Sequence, residues 1–204
     1  MPDDPGLRLL VPELAMNRLY QITLIVSTLA LCWLGMQVVH ELGHVLAAWA
    51  SGEEVYRVIL HPLTISRTDA THDRHPLLVI GGGPLLGVLL PVASLAVMRL
   101  IRSRWSSLLR FFAGFCLIAN GVYLGVGWFD RVGDAGDLLR HGAPRWLLIL
   151  FGLLCLPTGL FLWHGLGPDF GLGEVKGQVD RRAAVGTLIL LLVIVLVELL
   201  VGSR

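Results

Sequence analysis

Five consecutive residues, His40-Glu41-Leu42-Gly43-His44, have the types and spacing of a metal-dependent hydrolytic site. In a helix of 3.6 residues per turn, positions i and i+4 share a face, so both imidazoles can point at one metal ion. Glu41 lies about 100° around the helix from His40. That is near enough to reach a coordinated water and too far off the ligand face to compete for the metal. Zinc lowers the pKa of such a water to ~7, and a glutamate beside it can take the proton and pass it to a leaving amine. The chemistry expected is peptide hydrolysis. With seven His and six Glu in 204 residues, chance supplies only about 0.007 such patterns.

A catalytic zinc takes three protein ligands and keeps one position open, so a third ligand must come from elsewhere. The segment Asp130 to Arg145, DRVGDAGDLLRHGAPR, holds three aspartates among glycines. Asp134 is favoured as the third ligand because Gly133 and Gly136 would let the backbone approach the metal closely. Asp137 and Asp130 remain alternatives, and Asp137 also fits a solvated acid capping a helix at Leu138. The donor set suits a single Zn2+ ion, although iron, manganese or cobalt could use the same nitrogen and oxygen ligands. His61, His72, His75, His141 and His164 lack partners at ligand spacing and are read as surface or interfacial. Asn120, inside an apolar run, is a candidate to bind a substrate backbone or an oxyanion, with helix packing as the competing role.

These residues sit in a chain built for lipid. Hydrophobic residues make up 55% and charged residues 15% of the sequence, against a usual charged share of about 25%, and the mean hydropathy is +0.74. The net charge of +1 and the lack of a basic run exclude a nucleic-acid partner. Cys32, Cys116 and Cys155 stand in apolar runs without CxxC spacing, which fits packing rather than metal binding. Runs of about 20 apolar residues span a bilayer as helices, and five are present. The expected fold is an all-α integral membrane protein with helices at about 19–50, 76–99, 109–129, 146–167 and 183–202. Residues 1–18 form a short polar or interfacial lead-in, and 19–204 a single polytopic domain.

Two connections are long. In the first, alternation from Glu54 to Leu60 predicts a strand, followed by a turn at His61-Pro62 and a second strand through Ile65, giving a short membrane-associated β-hairpin. The second is the aspartate-rich segment, on the side where the first helix ends. A span starting near Leu19 puts His40 about 32 Å along the helix, in the far third of the bilayer or at its edge. A carboxylate at that depth costs ~2.5 kcal/mol or more without a polar partner or cavity, which singles out Glu41 independently of the motif. Lys and Arg divide almost evenly between the two sides, so charge does not set the orientation.

The same residues resemble the site-2 protease family of intramembrane zinc metalloproteases, in particular its small bacterial-type branch. HELGH ends the first long helix, Gly81-Gly82-Gly83-Pro84-Leu85-Leu86-Gly87 opens the second like that family's G-P stretch, and Asp134 in GDAGDLL stands where the family keeps its third ligand. The family's N-x-x-P and D-G pairs are absent. The resemblance implies zinc held by His40, His44 and Asp134, Glu41 as general base and acid, and cleavage of membrane-protein or membrane-anchored substrates. It also implies a multi-pass protein of a bacterial cytoplasmic membrane with the HELGH face in the cytoplasm. Two other classes compete. A non-proteolytic membrane protein could keep the metal site as a structural or binding scaffold. A metal transporter is disfavoured because no charged residues trace a path through the other helices.

Overall fold

The computed structural model describes residues 5–63, 65–71, 74–175 and 177–202; His72 and the first four residues of the 1–18 lead-in lie outside these. The chain is mostly helical: α1 Pro5–Ser51, β1 Val55–Ile59, β2 Arg67–Ala70, α2 Pro76–Leu100, α3 Ser106–Gly127, α4 Gly133–Arg140, α5 Arg145–Trp163 and α6 Arg181–Gly202. Five helical stretches are long and apolar enough to cross a membrane: Glu13–Ser51, Pro76–Leu100, Ser106–Gly127, Arg145–Trp163 and Arg181–Leu200. The chain divides into two compact units, Met1–Leu31 with Gly165–Val197, and Cys32–His164 with Glu198–Arg204.

Most helix ends fall within a turn of those expected, with three differences. First, α1 starts at Pro5 instead of near Leu19. Charge ends a membrane span but not a helix, and Leu, Ala, Met, Glu and Arg in the lead-in are all good helix formers. Second, α5 stops at Trp163, short of the expected Gly167, and the chain turns at Gly165 with φ +78°. Third, the connection that follows is a long one that apolar runs alone do not reveal. It contains two 3-10 turns, Gly167–Phe170 and Gly173–Val175.

In the first unit this connection is tied to α1 by Gln21. Its buried amide nitrogen donates to the carbonyls of Phe170 at 3.1 Å and Gly171 at 2.7 Å. Deeper in the unit, the hydroxyls of Ser27 on α1 and Thr187 on α6 share a 2.7 Å hydrogen bond. Polar pairs of this kind join helices where hydrophobic burial gives no driving force.

The second unit carries the candidate chemistry. Its α3 and α5 approach through a stripe of small residues. A Cβ on Gly114 would meet the Trp163 ring at 2.5 Å, one on Gly121 the Cys155 side chain at 2.8 Å, and one on Gly125 the backbone of Gly152 at 2.8 Å. The Trp163 indole donates to the Phe111 carbonyl at 2.9 Å and stacks on the Phe111 ring. Leu153 at 65% and Phe161 at 74% remain exposed on the other face of α5. That exposure suits lipid, not water.

The hairpin is present with a shifted second strand. β2 runs from Arg67 to Ala70 instead of ending at Ile65, pairing Val58 with Thr68 and Ile59 with Arg67. Arg-Thr-Asp-Ala has no apolar alternation to announce it as a strand. Its polar groups find partners instead, including an Arg67–Asp69 ion pair at 3.0 Å.

The aspartate-rich connection also contains an element that hydropathy does not show, the short helix α4. Ala135, Gly136 and Leu138 are buried on one side of it. Leu138 and Ala135 join Ile80 of α2, Leu124 of α3 and Leu148 of α5 in one apolar cluster. This docking sets the position of Asp134, in the first turn of α4.

Candidate metal centre

Three side chains from two helices converge. His40 Nε2 lies 2.9 Å and His44 Nε2 3.3 Å from the same oxygen, Oδ2 of Asp134, and the two ring nitrogens are 3.1 Å apart. A tetrahedral zinc with bonds of about 2.0–2.1 Å has ligand–ligand edges of about 3.3 Å. The triangle therefore has the size that one small divalent ion requires. Among the described residues this is the one group of three or more His, Cys, Asp or Glu that could hold a metal.

The outer ring nitrogens explain which atoms are free to ligate. His44 Nδ1 lies 2.9 Å from the Val79 carbonyl, an acceptor only, so Nδ1 carries the proton. His40 Nδ1 lies 2.9 Å from Asn120 Oδ1, and Asn120 Nδ2 donates to the Cys116 carbonyl at 2.9 Å, which fixes the amide's orientation. His40 Nδ1 is thus also the donor, and each Nε2 turns a lone pair toward the triangle. Such partners orient a metal-binding imidazole and raise its basicity.

Burial pushes the Asp134 carboxyl up, while the adjacent His40 and His44 outweigh it and hold the group low, at about 2. A divalent cation facing the two Nε2 lone pairs would satisfy the same three atoms.

The second helix lines this site through glycines. A Cβ on Gly83 would stand 2.3 Å from His44 Nε2, one on Gly82 2.6 Å from the Gly43 carbonyl oxygen, and one on Gly87 2.8 Å from the Asn120 amide, whereas Gly81 has nothing within 4 Å. The stretch Gly82, Gly83 and Gly87 therefore makes room for α1 and for two site side chains. Gly83→Ala is expected to push the His44 ring off the Val79 carbonyl and weaken metal binding by about 10–100-fold. Gly81→Ala should leave it unchanged, and metal titration of the two variants checks the contrast.

Glu41 is buried at 3% exposure, and both its oxygens accept hydroxyl protons from the hairpin region. Ser66 Oγ donates to Oε1 at 2.7 Å and Thr68 Oγ1 to Oε2 at 2.6 Å. Gln37, one turn earlier on α1, accepts the Ser66 backbone N–H at 2.9 Å. Thr68 lies in β2 and Ser66 just before it, two residues apart, a spacing that extended chain puts on one side. That spacing is the signal the sequence offers for the pair, and a second strand ending at Ile65 conceals it.

A cavity of about 970 Å³ opens on His40, Glu41, His44 and Asp134, with mostly apolar walls that include Trp33, Met36, Ile80 and Val122. Tyr123, which sequence reasoning passes over, lines it one turn after Asn120, its ring 5.8 Å from that of His40. The i, i+3 spacing of Asn120 and Tyr123 is its signal in the sequence.

The other candidates are placed apart from the triangle. Asp130 is exposed, and Asp137 pairs with Arg140. Asn120 is 1% exposed and bonded to His40 and Cys116, so its geometry serves the imidazole. His61 accepts the Leu63 N–H, and His75, His141 and His164 stand at helix ends. All three cysteines are buried and free. Gly133 and Gly136 serve packing rather than metal approach: a Cβ there would meet the Tyr123 hydroxyl and the Arg131 carbonyl, each at 2.1 Å.

Comparison of the chain with protein-family models, curated proteins and solved structures finds no match.

Proposed function

We propose that the protein is a membrane-embedded metallopeptidase that hydrolyses peptide bonds of membrane-associated proteins, in the manner of the site-2 proteases it resembles. The observation that carries this reading is the convergence of two imidazole lone pairs and a carboxylate beside a second, buried carboxylate, all on one apolar-walled cavity. His40, His44 and Asp134 would hold the ion, zinc by default. When bound, it supplies Lewis acidity that activates water and polarises a carbonyl.

Glu41 handles the protons. Each of its oxygens keeps a lone pair beyond its hydroxyl bond. As water oxygen bonds to the peptide carbonyl carbon, Glu41 takes a water proton. As the C–N bond breaks, Glu41 gives that proton to the departing nitrogen and ends ionised again. The hydroxyls of Ser66 and Thr68 keep the carboxylate oriented throughout. An intact helix hides its peptide bonds, so the substrate segment must be locally extended to enter the cavity.

A metal-holding scaffold is the second reading. The double hydroxyl anchorage of Glu41 favours it, since that bonding would equally suit a structural carboxylate.

The test is cleavage of a leucine-rich single-span peptide by the protein in liposomes. Peptidase function requires cleavage that phenanthroline abolishes and added zinc restores. Cleavage indifferent to the chelator would sink the metal mechanism, and no cleavage with metal bound would leave the scaffold.

A further inference from the structure

Hydrolysis puts negative charge on the former carbonyl oxygen, and in an apolar cavity that charge needs a preorganised hydrogen-bond donor. Most donors around the cavity are committed. The Ser66 and Thr68 hydroxyls donate to Glu41, and the Asn120 amide, buried at 1% exposure, accepts from His40 and gives an N–H to Cys116. Arg67 is drawn to Asp69 through Nε, and its side chain is mostly solvent-exposed. Gln37 also lines the cavity, but its Nε2, which lacks a partner, is itself buried.

Tyr123 differs from all of these. Its oxygen accepts the Asp134 backbone N–H at 3.0 Å, so one of its lone pairs is used and its proton is not. Among the described residues no group accepts that proton. Accepting a hydrogen bond polarises the phenol and makes it a better donor. The position is built for it: Gly133 has φ +57°, and a Cβ there would stand 2.1 Å from the phenol oxygen. A residue with a side chain at 133 would both strain the backbone and displace the hydroxyl.

We propose that Tyr123 is a catalytic residue whose phenol donates a hydrogen bond to the oxyanion formed when the peptide carbonyl is attacked. The proton stays on the phenol throughout, so the proton transfers assigned to Glu41 are unchanged. The proposal rests on the peptidase reading and deepens it by naming the donor. It also assigns to the backbone of Asp134 a task besides ligation, holding that donor in place.

The experiment compares wild type with Tyr123→Phe in three measurements: bound metal, kcat and KM on the liposome substrate, and affinity for a leucine phosphonamidate peptide, whose tetrahedral phosphoryl oxygens mimic the oxyanion. Metal content and KM should match wild type, kcat should fall by about 10²–10³-fold, and phosphonamidate affinity should fall at least about tenfold. Gly133→Ala should weaken phosphonamidate binding in the same direction. A Phe variant with wild-type kcat and wild-type phosphonamidate affinity overturns the assignment and leaves the peptidase reading standing. Loss of metal in that variant also overturns it, because Tyr123 would then be positioning Asp134. A wild-type protein that neither cleaves nor prefers the phosphonamidate to its parent peptide removes the peptidase reading, and the role of Tyr123 with it.

Discussion

Glu41→Gln in metal-replete protein is expected to keep its bound ion and lose peptidase rate by about 10²–10⁴-fold, the range for removing a general acid–base group. The ligand triangle does not include Glu41, so metal binding has no reason to change. Folding should tolerate the swap as well. The side chains are isosteric, and the amide oxygen can still accept from one hydroxyl of the Ser66–Thr68 pair. The other hydroxyl can rotate to accept from the new NH2 group. What the amide cannot do is take a proton from water. An unchanged rate would remove Glu41 from the mechanism and favour the scaffold, while loss of metal would show that the carboxylate helps hold the ion. Elemental analysis alongside single-turnover cleavage distinguishes the three outcomes.

Asp134→Ala is expected to leave the fold intact and reduce bound metal to a substoichiometric trace, with cleavage falling below detection. Only His40 and His44 would then face the ion, and two protein ligands are too few for a stable catalytic site. The hydrogen bond to Tyr123 comes from the backbone N–H of residue 134, and α4 docks through Ala135 and Leu138, so neither depends on the carboxylate. Asp137→Ala is the matched control. Asp137 is four-tenths exposed and paired with Arg140, so its loss should leave metal content unchanged. Equal metal loss in the two variants would mean that the acidic segment acts through bulk charge rather than through one ligand.

The parts of the site that are local in sequence are legible from the sequence alone. His40 and His44 are one helical turn apart, and that spacing predicts a shared face. Asp134 is legible at longer range because the third apolar run brings the chain back to the side where the first one ends. Glycine spacing points to the right segment, but the glycines there do not serve the metal. Gly133 leaves room for a phenol and Gly136 for a carbonyl, contacts that exist only once α3 and α4 have packed.

Local spacing marks Ser66, Thr68 and Tyr123, but their roles are hidden from sequence reasoning by the same dependence on packing. Their roles arise from side-chain bonds to Glu41 and from the Asp134 backbone, across separations that no periodicity encodes. The residues of β2 are polar and show no apolar alternation, and α4 is too short and too charged to register in hydropathy. Both elements are held by tertiary partners, and both carry residues that finish the site.

The most direct single measurement is the metal content of the wild-type protein, purified in detergent without added metal or chelator. One divalent ion per chain is the predicted result. Absence of any stoichiometric divalent metal, in protein that still cleaves its substrate, would contradict the assignment of His40, His44 and Asp134 as a catalytic metal centre.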